Sequence, residues 1–188
     1  ILFLSYSSAH KSGNGWGAMK YPQLILGMLA IFVYVGVEVT IQSNLGALLR
    51  TPAFGSKNEA HISQYISLYW GSLMIGRWTA AISVFNLKKK TRQLLTVIVP
   101  LIAFAFVLLV NVLRGNDVSD LYYYVICVGI MVAGTFYGQE KPVKTLLTFT
   151  IIATGAMIIG MFTGGTIATY AFMTGGLFCS VMWPCIFA

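Results

Sequence analysis

Residues Leu24 to Leu49, LILGMLAIFVYVGVEVTIQSNLGALL, form a long apolar stretch whose only charged residue is Glu38. As a helix, with a rise of about 1.5 Å per residue, the stretch is long enough to cross a bilayer core about 30 Å thick. A carboxylate at the middle of a bilayer costs at least ~2.5 kcal/mol unless it is protonated, paired or facing water. The stretch therefore predicts a transmembrane helix that keeps a polar group inside the membrane.

The composition of the whole chain agrees with a membrane location. Of its 188 residues, 57% are hydrophobic and only 9% are charged, whereas a soluble domain carries roughly a quarter charged residues. The net charge of +7 lies in short loops between apolar runs, a pattern typical of topology signals rather than of a nucleic-acid-binding face. We therefore expect a lipid bilayer as the partner and no nucleic acid.

The apolar runs predict an all-α integral membrane protein with about six transmembrane helices. Residues 1–20, rich in Ser and Gly, are predicted to be a cytoplasmic connector, and residues 21–188 a helical half-domain. Because residue 1 is not Met and the chain stops within an apolar run, we expect it to be part of a longer protein. The predicted spans are about 24–49, 63–85, 94–113, 121–137, 145–162 and 167–188.

The basic residues in the loops predict the orientation of these spans. If six spans alternate, eight of the twelve Lys and Arg fall on one side, three fall on the other, and Arg77 lies within the membrane. The side with eight is predicted to be cytoplasmic by the positive-inside rule. Those eight are Lys11, Lys20, Lys88, Lys89, Lys90, Arg92, Lys141 and Lys144; the other side holds Arg50, Lys57 and Arg114.

The first span carries the main candidate binding residues. Glu38 shares a helical face with Tyr34 and Gln42, and is either a carboxyl that binds substrate or titrates in a cavity, or a neutral acid in an interhelical hydrogen bond. Gln42, Ser43 and Asn44 could bind a polyhydroxylated ligand or simply bond neighbouring helices. Three successive residues cannot all face one cavity from an ideal helix, so one expectation is local unwinding near Gly46.

The second span supplies two further candidates. Arg77 is predicted to have a gating or structural role, either reaching the basic interface or pairing with a carboxylate at a helix end. Trp70 could stack on a sugar ring or pack in the core. Glycines throughout the chain are expected to allow close helix approach; they are Gly71, Gly76, Gly129, Gly134, Gly155 and Gly160.

Enzyme chemistry finds no support in the sequence. No nucleotide-binding loop, metal-ligand spacing or nucleophile motif is present, and the three cysteines match no zinc or redox spacing. A membrane-embedded enzyme would need a catalytic pair on facing helices. Glu38 and Arg77 alone are weak evidence for such a pair. We therefore predict a non-enzyme with no cofactor and no metal.

Three segments together resemble one family in the same order. They are FVYVGVEVTIQSNL (Phe32 to Leu45), SQYISLYWGSLMIGRWTAAISVF (Ser63 to Phe85) and GGLFCSVMWPCIFA (Gly175 to Ala188). They resemble the seventh, eighth and tenth helices of the fucose/galactose/glucose–proton symporters of the major facilitator superfamily. The ninth and tenth helices of that family are normally consecutive, so the stretch from Asp120 to Phe162, which precedes the tenth-like segment here, is expected to be an insertion of two helices.

The resemblance implies a transporter of a hexose or deoxyhexose (fucose, glucose or galactose), in the bacterial cytoplasmic (inner) membrane, that works by alternating access between two halves. This chain would supply most of the C-terminal half, with Glu38, Gln42 and Asn44 facing the sugar cavity and Arg77 in the cytoplasmic gate. The proton is the implied coupling ion, although the acidic residues that carry coupling in relatives lie in the absent N-terminal half. The rival hypothesis is a structural or assembly membrane protein whose buried polar groups only hold helices together.

Overall fold

The computed structural model describes residues 21–82, 85, 87–138 and 141–187, so the predicted connector 1–20 lies outside the described residues. The described residues form six long α-helices and no strand. A short 3₁₀ segment, Asp120–Tyr124, leads directly into the fourth helix. The helices are α1 (Pro22–Arg50), α2 (Glu59–Ala81), α3 (Lys89–Leu113), α4 (Val125–Tyr137), α5 (Pro142–Phe162) and α6 (Gly165–Phe187).

Five of the six helices are long and apolar enough to cross a membrane, counting only the part of the chain that the structure describes and taking α4 together with the 3₁₀ segment before it, as Asp120–Tyr137. The exception is α2, which carries Glu59 and His61 in its first turn and Arg77 further along. It is nevertheless an interior helix that packs between α6 and α3. The predicted all-α membrane class is confirmed, whereas the likeness to the major facilitator superfamily remains a prediction.

Two helices begin earlier than the apolar runs suggest. Helix α2 starts at Glu59 rather than at Ser63, and α3 starts at Lys89 rather than at Leu94. A helix can continue into a polar first turn at the water-exposed membrane interface, because its backbone hydrogen bonds do not require apolar side chains. Apolar residues alone therefore mark helix ends poorly. Part of the basic cluster that was expected in a loop is therefore helical.

The boundary between α5 and α6 depends on backbone geometry that suits glycine. Gly165 has a φ of +63° and Gly115, which follows α3, has a φ of +76°. Both angles lie in the left-handed region, where a side chain is disfavoured. The chain can therefore end one helix and redirect within two or three residues at each position.

Helix α6 lies at the centre of the bundle and α1 lies at its edge. In the most apolar stretch of each helix, 72% of the residues of α6 are buried, compared with 17% for α1. Helix α6 packs chiefly against α5 and α2, and also contacts α1. Along α1, Leu26, Phe32 and Val33 are all exposed. The first helix thus joins the bundle by one face only and leaves a long apolar face uncovered.

Close helix approach occurs at four of the six glycines expected to permit it. A Cβ atom built on Gly71, Gly76, Gly134 or Gly160 would lie 3.1 Å or less from a side-chain atom of another helix. Nothing lies within 4 Å of the corresponding position at Gly129 or Gly155, so the expectation is wrong for these two. The four closely packed glycines and the two open ones therefore provide matched positions for testing helix packing by substitution.

Candidate functional site

An ion pair joins the two charged residues that interrupt the apolar parts of α1 and α2. The Arg77 guanidinium donates a hydrogen bond through Nη2 to Oε1 of Glu38 over 2.8 Å. Glu38 is buried, while the Arg77 side chain is 51% exposed. Charge-assisted hydrogen bonds of this kind are roughly twice as strong as neutral ones. Arg77 therefore pairs with a carboxylate on a neighbouring helix rather than at a helix end.

The pair lies far from both ends of α1. Glu38 is twelve residues before the last residue of the helix, Arg50, and sixteen after the first, Pro22, which correspond to ~18 Å and ~24 Å along the axis. A carboxylate at this depth needs a partner or a wet surface. Arg77 supplies the partner, and its side chain is half-exposed.

Two buried polar atoms beside the pair have no hydrogen-bond partner among the described residues. They are the second carboxylate oxygen of Glu38, Oε2, and the hydroxyl of Tyr34. Tyr34 lies one turn before Glu38 on the same buried face of α1. Its hydroxyl is near enough to Glu38 and Arg77 to interact with both, although neither contact has the geometry of a hydrogen bond. An unpaired buried polar group costs about 1–3 kcal/mol. Oε2 can accept one more hydrogen bond and the phenol can donate one, but both atoms are closed to solvent in this conformation, so a ligand reaches them only after the helices move.

Tyr34 also connects this cluster to a larger groove. It lines a cavity of about 530 Å³ between α1, α5 and α6, whose remaining lining residues are mostly apolar. Met157 on α5 and Cys179 on α6 form part of the opposite wall. The cluster of Tyr34, Glu38 and Arg77 is called the carboxylate site below.

Tyr69 lies next to the carboxylate site, a position that the sequence did not reveal. Its buried hydroxyl donates a hydrogen bond to the backbone carbonyl of Glu38 over 2.9 Å. A Cβ atom on Gly176 would lie 2.5 Å from its ring, so α6 holds the ring against α1. A tyrosine in an apolar helix has no sequence feature that distinguishes it from Tyr65, which lies one turn earlier.

The other residues predicted on α1 lie at its surface. Gln42 is half-buried one turn after Glu38. Asn44 is exposed, and its amide donates to the carbonyl of Thr40 over 2.8 Å. The expected unwinding near Gly46 is not observed, since α1 continues to Arg50 and Gly46 instead lies near the side chain of Ile66. Neither Gln42 nor Asn44 has a described contact with the ion pair.

Trp70 lies apart from the carboxylate site. It is seven residues before Arg77 on α2, a separation of about 10 Å along the helix, and its side chain is half-exposed. It lines an open cleft of about 560 Å³ that also contains Arg50, Glu59 and Arg114. The predicted residues therefore form a cluster at Glu38 and a separate cleft at Trp70.

Replacing Tyr69 with Phe should loosen the contact between α1 and α2. The variant removes the hydrogen bond to the Glu38 carbonyl and leaves the ring in place, so we expect a loss of about 0.6–1 kcal/mol of unfolding free energy. Unfolding of the full-length protein in mixed micelles by increasing SDS measures it. Tyr122→Phe, at an exposed tyrosine, is the control. An equal loss of stability in both variants would contradict stabilisation by the Tyr69 hydrogen bond.

Two curated proteins share 37% identity with the chain over 71 residues, which are 38% of this chain. Both are called "Glucose/galactose transporter", one from Brucella abortus biovar 1 (strain 9-941) and the other from Brucella abortus (strain 2308). The chain matches only 16% of the length of these curated relatives. No family model matches the chain, and no solved structure matches it significantly. The chain is thus similar, over part of its length, to sugar transporters.

Proposed function

We propose that the chain is part of a secondary active sugar transporter of the major facilitator type, and that the carboxylate site contributes to sugar binding. The observation that carries the proposal is the buried ion pair between Glu38 and Arg77, with an unpaired carboxylate oxygen next to the unpaired hydroxyl of Tyr34. A sugar presents adjacent hydroxyls that can donate to a carboxylate and accept from a phenol. The partial similarity to glucose/galactose transporters supports a hexose or deoxyhexose as substrate.

The proposed mechanism is rocking of this helical unit against a second one. The exposed apolar face of α1 is suited to contact with a second half or with lipid. Each hydrogen bond to sugar would discriminate because the wrong sugar leaves a buried polar group unpaired. Gln42 and Asn44 would contribute where the second half approaches α1, and the proton remains the coupling ion that the family resemblance implies.

We further propose a bacterial cytoplasmic membrane with the basic loops on the cytoplasmic side. Arg92 and Lys141 line one cavity of the bundle, whereas Arg50 and Arg114 line the cleft at the other end. This separation supports the alternation of spans on which the positive-inside argument depends. Arg77, with its side chain half-exposed, is the proposed gating residue.

A second candidate is a structural or assembly membrane protein. The burial of Glu38 and its bond to Arg77 favour it, because a paired carboxylate can serve only to hold α1 against α2. In that case Tyr69, which binds the backbone of Glu38, belongs to the same helix–helix contact.

A thermal-shift titration of the full-length protein separates the two candidates. A transporter is stabilised by its substrate, so D-glucose, D-galactose or L-fucose at a large excess over its Kd should raise the melting temperature by about 3 °C or more. L-Glucose, which has the same composition and the opposite handedness, is the control. If no sugar in a panel of hexoses and deoxyhexoses shifts the melting temperature, the assembly role is the better explanation.

A further inference from the structure

Helix α2 has one accessible stripe along an otherwise buried surface. From Ser63 to Arg77 every residue of the helix is buried except six. Their spacing follows the helical repeat, so the six share one face of the helix, about 100° wide. They are Ser63, Ile66, Ser67, Trp70, Met74 and Arg77.

The accessible stripe is too polar for a surface that faces lipid. It carries the hydroxyls of Ser63 and Ser67 and ends at the charge of Arg77. Helix α2 is also the one long helix in the described part of the chain whose composition falls short of a membrane span. Polar and charged side chains at membrane depth usually face a water-filled cavity or other protein. The stripe is therefore suited to water or to a polar ligand.

One half of the stripe forms the floor of the cleft at Trp70. Ser63, Ile66, Ser67 and Trp70 all line this cleft of about 560 Å³, a volume within the usual range for small-molecule sites. The other half continues from Trp70 to Arg77, about 10 Å along the axis. The stripe thus joins the cleft to the carboxylate site on a single helix face.

Contacts between α2 and α3 place Ser67 at the centre of the cleft. Ser67 accepts a hydrogen bond from the Asn111 amide over 3.2 Å, and Gly71 lies against Val107, so the two helices run antiparallel. Arg114 follows Asn111 by three residues, whereas Trp70 follows Ser67 by three in the opposite direction. Each therefore lies about 4.5 Å along the axis from the level of Ser67.

Several polar groups of the cleft are available to a ligand. Ser67 accepts from Asn111 and can still donate its own proton. The Arg114 guanidinium and the Ser63 hydroxyl have no side-chain partner within the described part of the chain. Glu59 bonds Arg50 through Oε1, which leaves its second oxygen able to accept. These groups both donate and accept, as a polyhydroxylated ligand requires.

The apolar part of the cleft matches the other surface of a sugar. Trp70 has a half-exposed indole, and Ile66 lies one turn before it on the same floor. A pyranose ring has C–H bonds that can pack on an aromatic face and hydroxyls around its rim. An indole offers a large rigid surface at a low cost in conformational entropy. Trp70 between free hydroxyls and a free guanidinium therefore favours a sugar over a lipid chain.

We propose that this cleft is a second sugar-binding site, separate from the carboxylate site and connected to it by the accessible stripe of α2. The pyranose ring packs on Trp70, the Arg114 guanidinium donates to hydroxyl oxygens, and Ser63 and Ser67 bond further hydroxyls. The proposal rests on the proposed function, because its ligand is the transported sugar.

Cysteine reactivity of the full-length protein in detergent micelles tests the site. Ser63→Cys and Ser67→Cys should react with a charged methanethiosulfonate reagent. D-Glucose, D-galactose or L-fucose at about ten times its Kd should slow the reaction about tenfold, whereas L-glucose should not. Ser119→Cys, which is exposed and outside the cleft, should react equally with and without sugar. The wild-type protein gives the background from native cysteines.

Variants made in Ser63→Cys separate the cleft from the carboxylate site. Trp70→Ala should raise the sugar concentration that gives half protection by about tenfold, and Trp70→Tyr, which keeps an aromatic face, should raise it less. Trp78→Ala, at an exposed tryptophan outside the cleft, should not change it. Glu38→Gln should not change it either, since the cleft binds sugar without Glu38.

Three results would overturn this proposal and leave the proposed function standing if the wild-type protein takes up sugar. One is an absence of reaction at Ser63→Cys and Ser67→Cys, because another part of the protein would then cover the stripe. Another is unchanged protection in Trp70→Ala, and the third is loss of protection in Glu38→Gln, because sugar would then act only from the carboxylate site. An absence of both uptake and any sugar-induced melting shift would remove both proposals.

Discussion

Glu38→Gln should reduce sugar uptake by the full-length protein by about 10- to 100-fold at low sugar concentration. The variant keeps the shape of the side chain but removes its charge, so the Arg77 guanidinium loses its ionic partner. It also replaces one carboxylate oxygen with an amide that donates, which cannot accept a sugar hydroxyl. Hydrogen bonds to charged groups contribute about 1.5–3 kcal/mol, and each 1.4 kcal/mol is about tenfold in affinity.

Uptake of radiolabelled glucose or galactose into proteoliposomes measures the effect, normalised to the amount of reconstituted protein. Glu59→Gln is the matched control, since it breaks the exposed ion pair with Arg50 at the surface, where such pairs contribute little. The charge exchange Glu38→Arg with Arg77→Glu separates packing from binding. If it restored both folding and uptake, the pair would be structural only.

An unchanged apparent affinity for sugar in Glu38→Gln would remove Glu38 from the sugar site. Tyr34→Phe provides an independent check, because its hydroxyl is also unpaired. It should weaken uptake about tenfold, while Tyr122→Phe, at an exposed position, should not.

The helices could be predicted from sequence because a membrane permits few alternatives. In lipid every backbone polar group must bond internally, so an apolar run of sufficient length becomes a helix. That constraint predicts α1 from Leu24–Leu49. The span predicted at 63–85 misses the polar first turn of α2 at Glu59, and the composition of α2 falls short of a membrane span. Hydropathy identifies helices that face lipid, whereas α2 is packed mostly against other helices.

The carboxylate site was only half predictable. Glu38 could be identified because an acid in an apolar helix is costly, and Arg77 because it is the lone charge between Ser63 and Phe85. Their pairing depends on the rotation and axial offset of two antiparallel helices, which periodicity does not contain. The sequence feature that could have suggested the pairing is the opposite charge of two lone charged residues on consecutive helices. No comparable feature indicates that Tyr69 lies against Glu38.

The central position of α6 also escaped prediction. Its sequence is no more apolar than that of α5, yet Thr169, Ser180 and most of its length are buried. Helices in lipid associate through close packing and small residues rather than through hydrophobicity. Gly175 and Gly176 on α6 are the sequence features related to this, but their partners on α5 and α2 could not be identified without the packed structure.

Gly76→Ala should destabilise the contact between α2 and α6 by about 1–3 kcal/mol, the usual cost of overpacking. The added Cβ would lie 1.7 Å from Oγ of Ser180 and 3.0 Å from the carbonyl oxygen of Leu177. Ser180 is fully buried and donates to that same carbonyl, so it has little space into which it can move. The helices must separate, and Arg77, the next residue, moves with α2. SDS unfolding of the full-length protein measures the loss.

Gly129→Ala on α4 is the matched control, because nothing lies within 4 Å of its added Cβ. Alanine should leave stability unchanged or raise it by up to about 1 kcal/mol through helix propensity. Ser180→Gly in the Gly76→Ala background should recover part of the loss, because it removes the nearest obstructing atoms. The Leu177 carbonyl still limits the approach, so the recovery should be incomplete. Equal stability of Gly76→Ala and Gly129→Ala would mean that α2 and α6 do not pack this closely, and the position of Tyr69 against Gly176 would then be wrong as well.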